Sequence, residues 1–160
     1  MQLDYLLESQ HRTRLSGEMI LASGDSDRLT TSNTFGGNEP GTTDRAFNAF
    51  GLLNTGLAFA PSVSNLIAVR GGVSTFPVRR VQVGTDVFLL AKLDASAPID
   101  EETSQNGERF LGVEPDVYLN WQIVSDVTLA LRYGAFIPGD AIKADGKIRQ
   151  FIYAGVTFAF

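Results

Sequence analysis

The stretch Ile148 to Phe160 reads IRQFIYAGVTFAF, and how it is read decides the fold. Taken backwards from the end, every second residue is apolar: Phe160, Phe158, Val156, Ala154 and Ile152. The alternate set, Ala159, Thr157, Gly155, Tyr153, Phe151 and Arg149, mixes small, polar and aromatic residues. A period of two predicts a strand with two unlike faces. An exposed aromatic at such a strand's end invites aggregation unless a core or lipid covers it. The pattern fits the closing strand of an outer-membrane barrel, which places an aromatic at the membrane interface. It equally fits the last strand of a soluble sandwich or barrel.

The alternation recurs upstream. Leu3, Tyr5 and Leu7 alternate within residues 3–8; Leu15, Gly17, Met19 and Leu21 oppose Arg14, Ser16, Glu18 and Ile20. Residues 65–75 set Ile67, Val69, Gly71 and Val73 against Ala68, Arg70, Gly72 and Ser74. Residues 82–94 direct Val83, Thr85, Val87, Leu89, Ala91 and Leu93 outward, with Asp86, Phe88, Leu90 and Lys92 among the inward set. Residues 110–124 give the clearest case, Leu111, Val113, Pro115, Val117, Leu119, Trp121 and Ile123 against Gly112, Glu114, Asp116, Tyr118, Asn120 and Gln122. Val127, Leu129, Leu131 and Tyr133 continue the outward face, with Thr128, Ala130, Arg132 and Gly134 inward.

Short connections at SQHR (Ser9–Arg12), FPVRR (Phe76–Arg80) and Ser125–Asp126 alternate with long polar ones at about 23–63, 97–108 and 137–147. That rhythm belongs to a barrel with periplasmic turns and extracellular loops. Residues 51–62 are apolar without alternation and read as a loop helix or a ledge folded into the lumen. The strands exceed the usual soluble length of about five or six residues and cover the roughly nine to eleven that span a bilayer at a tilt. The fold class is therefore all-β, an antiparallel up-and-down transmembrane barrel in a single domain over residues 1–160.

About seven strands are legible, an odd number that would leave an edge open in lipid. The simplest resolution is that the chain is the C-terminal part of a larger barrel; an eighth strand within residues 46–62 is the competing one. The start, MQLDYLLESQ, has neither the basic residues nor the apolar block of an export signal. The signal is then already removed, or the chain begins partway along a longer one.

Thirteen Lys and Arg against eighteen Asp and Glu leave a net charge of −5, which argues against a nucleic-acid partner. With no cysteine there are no disulfides, thiolate metal sites or cysteine nucleophile. No apolar run reaches the roughly 18 to 20 residues of a membrane helix. His11, the single histidine, sits in a short turn and serves neither a triad nor a zinc site. GGNEPG lacks the lysine and helix of a phosphate loop. Asp25 and Asp27 with Ser23 and Ser26 read as a solvated turn rather than a calcium site, and Asp100, Glu101 and Glu102 as a solvated acidic run. No catalytic residue, metal or cofactor is expected.

ASGD at Ala22–Asp25, TFGGNEPG at Thr34–Gly41, FGLLNTGLAFAPSVSNL at Phe50–Leu66 and RYGAFIPGDA at Arg132–Ala141, before the final RQFIYAGVTFAF, together resemble the alginate-export family of outer-membrane porins. The resemblance covers nearly the whole chain but only the C-terminal part of that family's fold, whose barrels have many more strands. It implies a place in the outer membrane of a Gram-negative bacterium and passive transport of a small or polymeric solute. An anionic saccharide or polysaccharide is the solute it suggests. The implied partners are the outer-membrane lipid bilayer, the solute and, through the C-terminal strand, the barrel-assembly machinery.

A lumen passing polyanions must be positive, since a bare anion in a narrow pore meets a desolvation barrier. The inward set supplies Arg14, Arg70, Lys92, Arg132 and Arg149 as candidate solute-path residues. Against them stand Asp4, Glu8, Glu18, Asp86, Asp94, Glu114 and Asp116. Facing charges of both signs also form cross-strand pairs that stiffen the wall, so the lumen is mixed. Trp121, Tyr133, Phe158 and Phe160 are the expected membrane-interface aromatics. A structural or surface-binding barrel and a soluble ligand-binding barrel are the competing functions.

Overall fold

A computed structural model describes residues 1–28, 38–47, 53–99, 107–142 and 146–159. Seven strands are present: β1 (Gln2–Leu6), β2 (Arg14–Leu21), β3 (Leu66–Val78), β4 (Val81–Lys92), β5 (Phe110–Val124), β6 (Val127–Pro138) and β7 (Arg149–Phe158). They form one antiparallel sheet in sequence order, with β1 and β7 paired on one side only. The sheet is therefore open. Among the described residues no helix is long and apolar enough to cross a membrane.

The register carries two unlike faces across every strand. Tyr5, Leu15, Val73, Thr85, Val117, Tyr133 and Ile152 lie in one continuous row. The neighbouring row on the other face is Asp4, Ser16, Gly72, Asp86, Asp116, Gly134 and Phe151. Because the side-chain period is two, a one-residue slip anywhere would put carboxylates on the apolar face. The apolar face is exposed along its whole width: Leu15, Met19, Leu89, Val117, Trp121, Leu131, Ile152 and Val156 are each at least 40% accessible. Soluble monomers rarely expose so continuous an apolar surface.

The buried core lies on the polar face, at the end carrying the long connections. Ala68, Phe88, Leu90 and Phe136 project there from the wall, and Ala22, Val63, Ile99, Ala141 and Ile142 come down onto them from the connections. Each large side chain so buried contributes about 1.5–3 kcal/mol. Residues 53–65 are the ledge expected within residues 51–62, and they form no helix. Ala58, Phe59 and Val63 meet the buried core, and Phe59 stacks on Phe136 with ring centroids 4.3 Å apart.

Several boundaries differ from the sequence expectation. Leu111 was expected on the outward face but is fully buried, while Phe110 takes the outward position opposite Ala91. The cause is a register shift in the β4–β5 ladder at Leu90/Ala91, opposite Gly112, whose φ of +148° a side-chain-bearing residue adopts poorly. β3 runs on through Phe76 and Pro77 to Val78, so its turn is Arg79–Arg80 alone. Pro77 falls within a ladder irregularity, where a missing N–H costs no bond. β6 likewise continues to Pro138, and β1 ends at Leu6. None of the described residues between 46 and 62 forms an eighth strand; residues 48–52, like Phe160 and the acidic run Asp100–Glu102, lie outside the described residues.

Candidate functional site

The site is the polar face beneath the ledge. β5 supplies its anchor, Glu114, which is fully buried. The carboxylate accepts the backbone N–H groups of Leu57, Ala58 (2.6 Å) and Phe59 (2.9 Å), three successive donors of the ledge. Charge-assisted bonds of this kind are roughly twice as strong as neutral ones. Two glycines make the fit possible. Gly56 turns the ledge at φ +126°, and a Cβ there would come within 2.7 Å of the Glu114 carboxyl carbon. A Cβ on Gly134 would meet Asp116 Oδ1 at 2.5 Å and Leu57 Cβ at 2.9 Å. Gly56 and Gly134 thus leave room for carboxylates on β5.

A second bracket fixes the long connections to one another. Asn65, fully buried, donates to the carbonyls of Asp94 (2.9 Å) and Ala97 (2.7 Å) and accepts the Asp94 N–H at 2.7 Å. Ser23 Oγ donates to Arg45 O and accepts Phe47 N–H, both at 3.1 Å. Asp25 accepts the N–H groups of Arg45 (2.7 Å) and Asp27 (3.0 Å) and the Asn38 amide (3.1 Å). Those backbone donors, Arg45 first, hold its carboxyl below the usual carboxylate range. Asp44 is lowered too, chiefly by its bond with the buried Arg28 guanidinium. Asp25 is itself buried in a closed clasp, which corrects the solvated reading at that residue, while Ser23 and Ser26 are exposed as expected. The described residues hold no cluster suited to a metal ion.

The five expected lumen cations divide by environment. Arg14 pairs with Asp4 at 2.7 Å, and Arg70 with Glu18 at 3.1 Å and Asp86 at 3.8 Å. These are the cross-strand pairs that stiffen a wall. Lys92 is buried at the end of β4 and donates to Ala95 O at 2.6 Å. Arg149 stacks over Phe59 (5.4 Å) and Phe136 (5.8 Å), against the ledge. Arg132 makes no ion pair among the described residues. Its guanidinium donates to Asn120 Oδ1 at 2.8 Å and lies 5.3 Å from the centre of the Tyr118 ring. Arg132 and Arg149 share a face on adjacent strands, but Arg132 opposes Tyr153 while Arg149 opposes Phe136. Four positions of strand, roughly 13 Å, separate them.

Arg132 borders a recess of about 230 Å³ under the ledge, closed by Asn54, Leu57, Asp86, Asp116 and Tyr118. It brings one guanidinium, two carboxyl groups, an amide and a phenol, donors and acceptors together, into one small volume. Alternation had put its wall residues on one face; Asn54 and Leu57 were missed, because the ledge's position depends on Glu114, fifty-seven residues from Leu57.

On the opposite face, Trp121 is 44% and Phe158 61% accessible near the short-turn end, and Tyr133 lies midway along β6, donating to Gln150 Oε1 at 3.1 Å. Phe110, at the far end of the same face, was hidden from sequence reading by the ladder shift beside it.

A family model for alginate export matches residues 2–154. No curated protein matches the chain.

Proposed function

The chain belongs to the alginate-export family, whose work is transport at the outer membrane, and from that premise we propose that its sheet is part of the wall of a diffusion channel. The apolar face meets hydrocarbon, and the polar face lines water. The open β1 and β7 edges are completed by further strands, since an unpaired edge in lipid is costly. One observation carries the reading: the apolar and polar faces stay in register across all seven strands, and the first presents exposed apolar side chains on each strand. Transport, rather than chemistry on a substrate, is the role.

The solute path runs past Arg132 and the recess beneath the ledge. Arg14 and Arg70 are neutralised by their carboxylates, so the wall is mixed in sign and admits a hydrophilic saccharide, anionic ones by way of Arg132 and Arg149. The ledge narrows the passage. Replacing Arg132 and Arg149 together with Ala in the complete barrel should lower anion over cation permeability in planar bilayers. Unchanged selectivity removes both from the path. Absence of any conductance favours instead a structural or surface-binding barrel, a reading that the ledge's cover over the polar face also suits.

A further inference from the structure

The short-turn rim holds a feature that the solute path does not use. The β1–β2 and β3–β4 turns are fastened to each other: His11 O accepts Phe76 N–H at 2.8 Å and the Thr75 hydroxyl at 3.1 Å. Thr13 and Thr75 hydroxyls bond at 3.1 Å. Between the turns lies a cavity of about 480 Å³. Arg12 and Arg79 border it with exposed side chains that form no ion pair among the described residues. Phe76, Pro77 and Val78 give it an apolar wall, and Val78, 59% accessible, continues into the exposed apolar face.

The chain's net charge is −5, yet the short turns gather Arg12, Arg79 and Arg80 against Glu8 and Asp126. Two guanidinium forks suit a phosphate, which they bind through paired N–H donors. Free phosphate would have no use for the apolar wall. A ligand with a phosphate head and hydrocarbon tails uses both, and such heads sit where a membrane's apolar layer ends. We propose that Arg12 and Arg79 bind the phosphate headgroup of a membrane phospholipid, whose acyl chains lie along the apolar face beside Val78. The site rests on the outer-membrane reading above.

The test uses the full chain folded in detergent micelles, with retained lipid read by native mass spectrometry. Phosphatidylglycerol should be retained, and diacylglycerol with the same chains should not. Arg12→Gln with Arg79→Gln should weaken phosphatidylglycerol retention by about tenfold or more. Arg45→Gln with Arg109→Gln, away from the short turns, should leave it unchanged. If the first pair fails to fold, Arg79→Gln alone should still weaken retention several-fold. Equal retention in wild type and variant overturns the site. Displacement of the lipid by millimolar inorganic phosphate assigns the arginines to free phosphate and overturns it too. A chain that conducts but holds both lipids alike loses only this site, whereas one soluble without detergent loses the channel as well.

Discussion

Gly56 and Glu114 fit by mutual exclusion: the carboxylate occupies the space where a side chain at residue 56 would begin. Gly56 also holds φ +126°, so Gly56→Ala meets strain and collision together. Strain of this kind costs about 1–3 kcal/mol. The variant should lose about 2 kcal/mol of stability in urea titrations of the micelle-folded chain, and residues 53–62 should become protease-sensitive. An unchanged midpoint refutes the fit.

Glu114→Gln retains the shape and removes the charge. One amide oxygen cannot replace two carboxylate oxygens serving three N–H groups, and the amide NH2 turns donors toward donors. The cost should be about 1–3 kcal/mol. With the ledge freed from β5, single-channel conductance should rise. A variant with reduced stability but unaltered conductance would separate the ledge from the pore.

Arg70→Ala and Arg132→Ala remove the same charge with different results. Arg70 balances Glu18 and Asp86, all three side chains less than a quarter exposed. Its loss leaves two largely buried carboxylates without their partner and should destabilise by about 1–3 kcal/mol. Arg132→Ala should change stability less and ion selectivity more. Chemical denaturation and reversal potentials, measured on both variants, check the ordering.

Asp25 and Asp44 have carboxyls held below the ordinary range by donors that exist only in the folded clasp. A carboxyl lowered on folding stabilises the folded state above its unfolded pKa, and that stabilisation is lost as pH falls through the lowered value. The connection 22–47 should therefore open to protease under acid, below about pH 4. Asp25→Asn should weaken the pH dependence of its cleavage in that window, leaving the part that Asp44 contributes. Identical acid profiles for wild type and variant would falsify the clasp.

Alternation made the faces legible. Arg14, Arg70, Lys92, Arg132 and Arg149 all fall on the expected face because a strand's period is local and needs no knowledge of its partner. Leu111 was misplaced because a ladder shift is decided between strands, by Gly112 lying against the Ile137 carbonyl and the Phe136 ring. Pro77 and Pro138 fell within the expected turn Phe76–Arg80 and connection 137–147, though the strands take both in, one at a ladder irregularity and the other at the last paired residue. Sequence order puts Arg132 and Arg149 on adjacent strands, as the structure does, but it carries no register, so their four-position offset was not legible. Asp25 looked solvated because its partners Asn38 and Arg45 lie across a long connection.

Glu114 grips Leu57, Ala58 and Phe59 solely through their main-chain N–H groups. A hold of that kind is blind to side-chain identity. Substitutions at Leu57, which lines the recess, can therefore retune what it accepts while the anchorage stays intact, so selectivity can drift without a toll on folding.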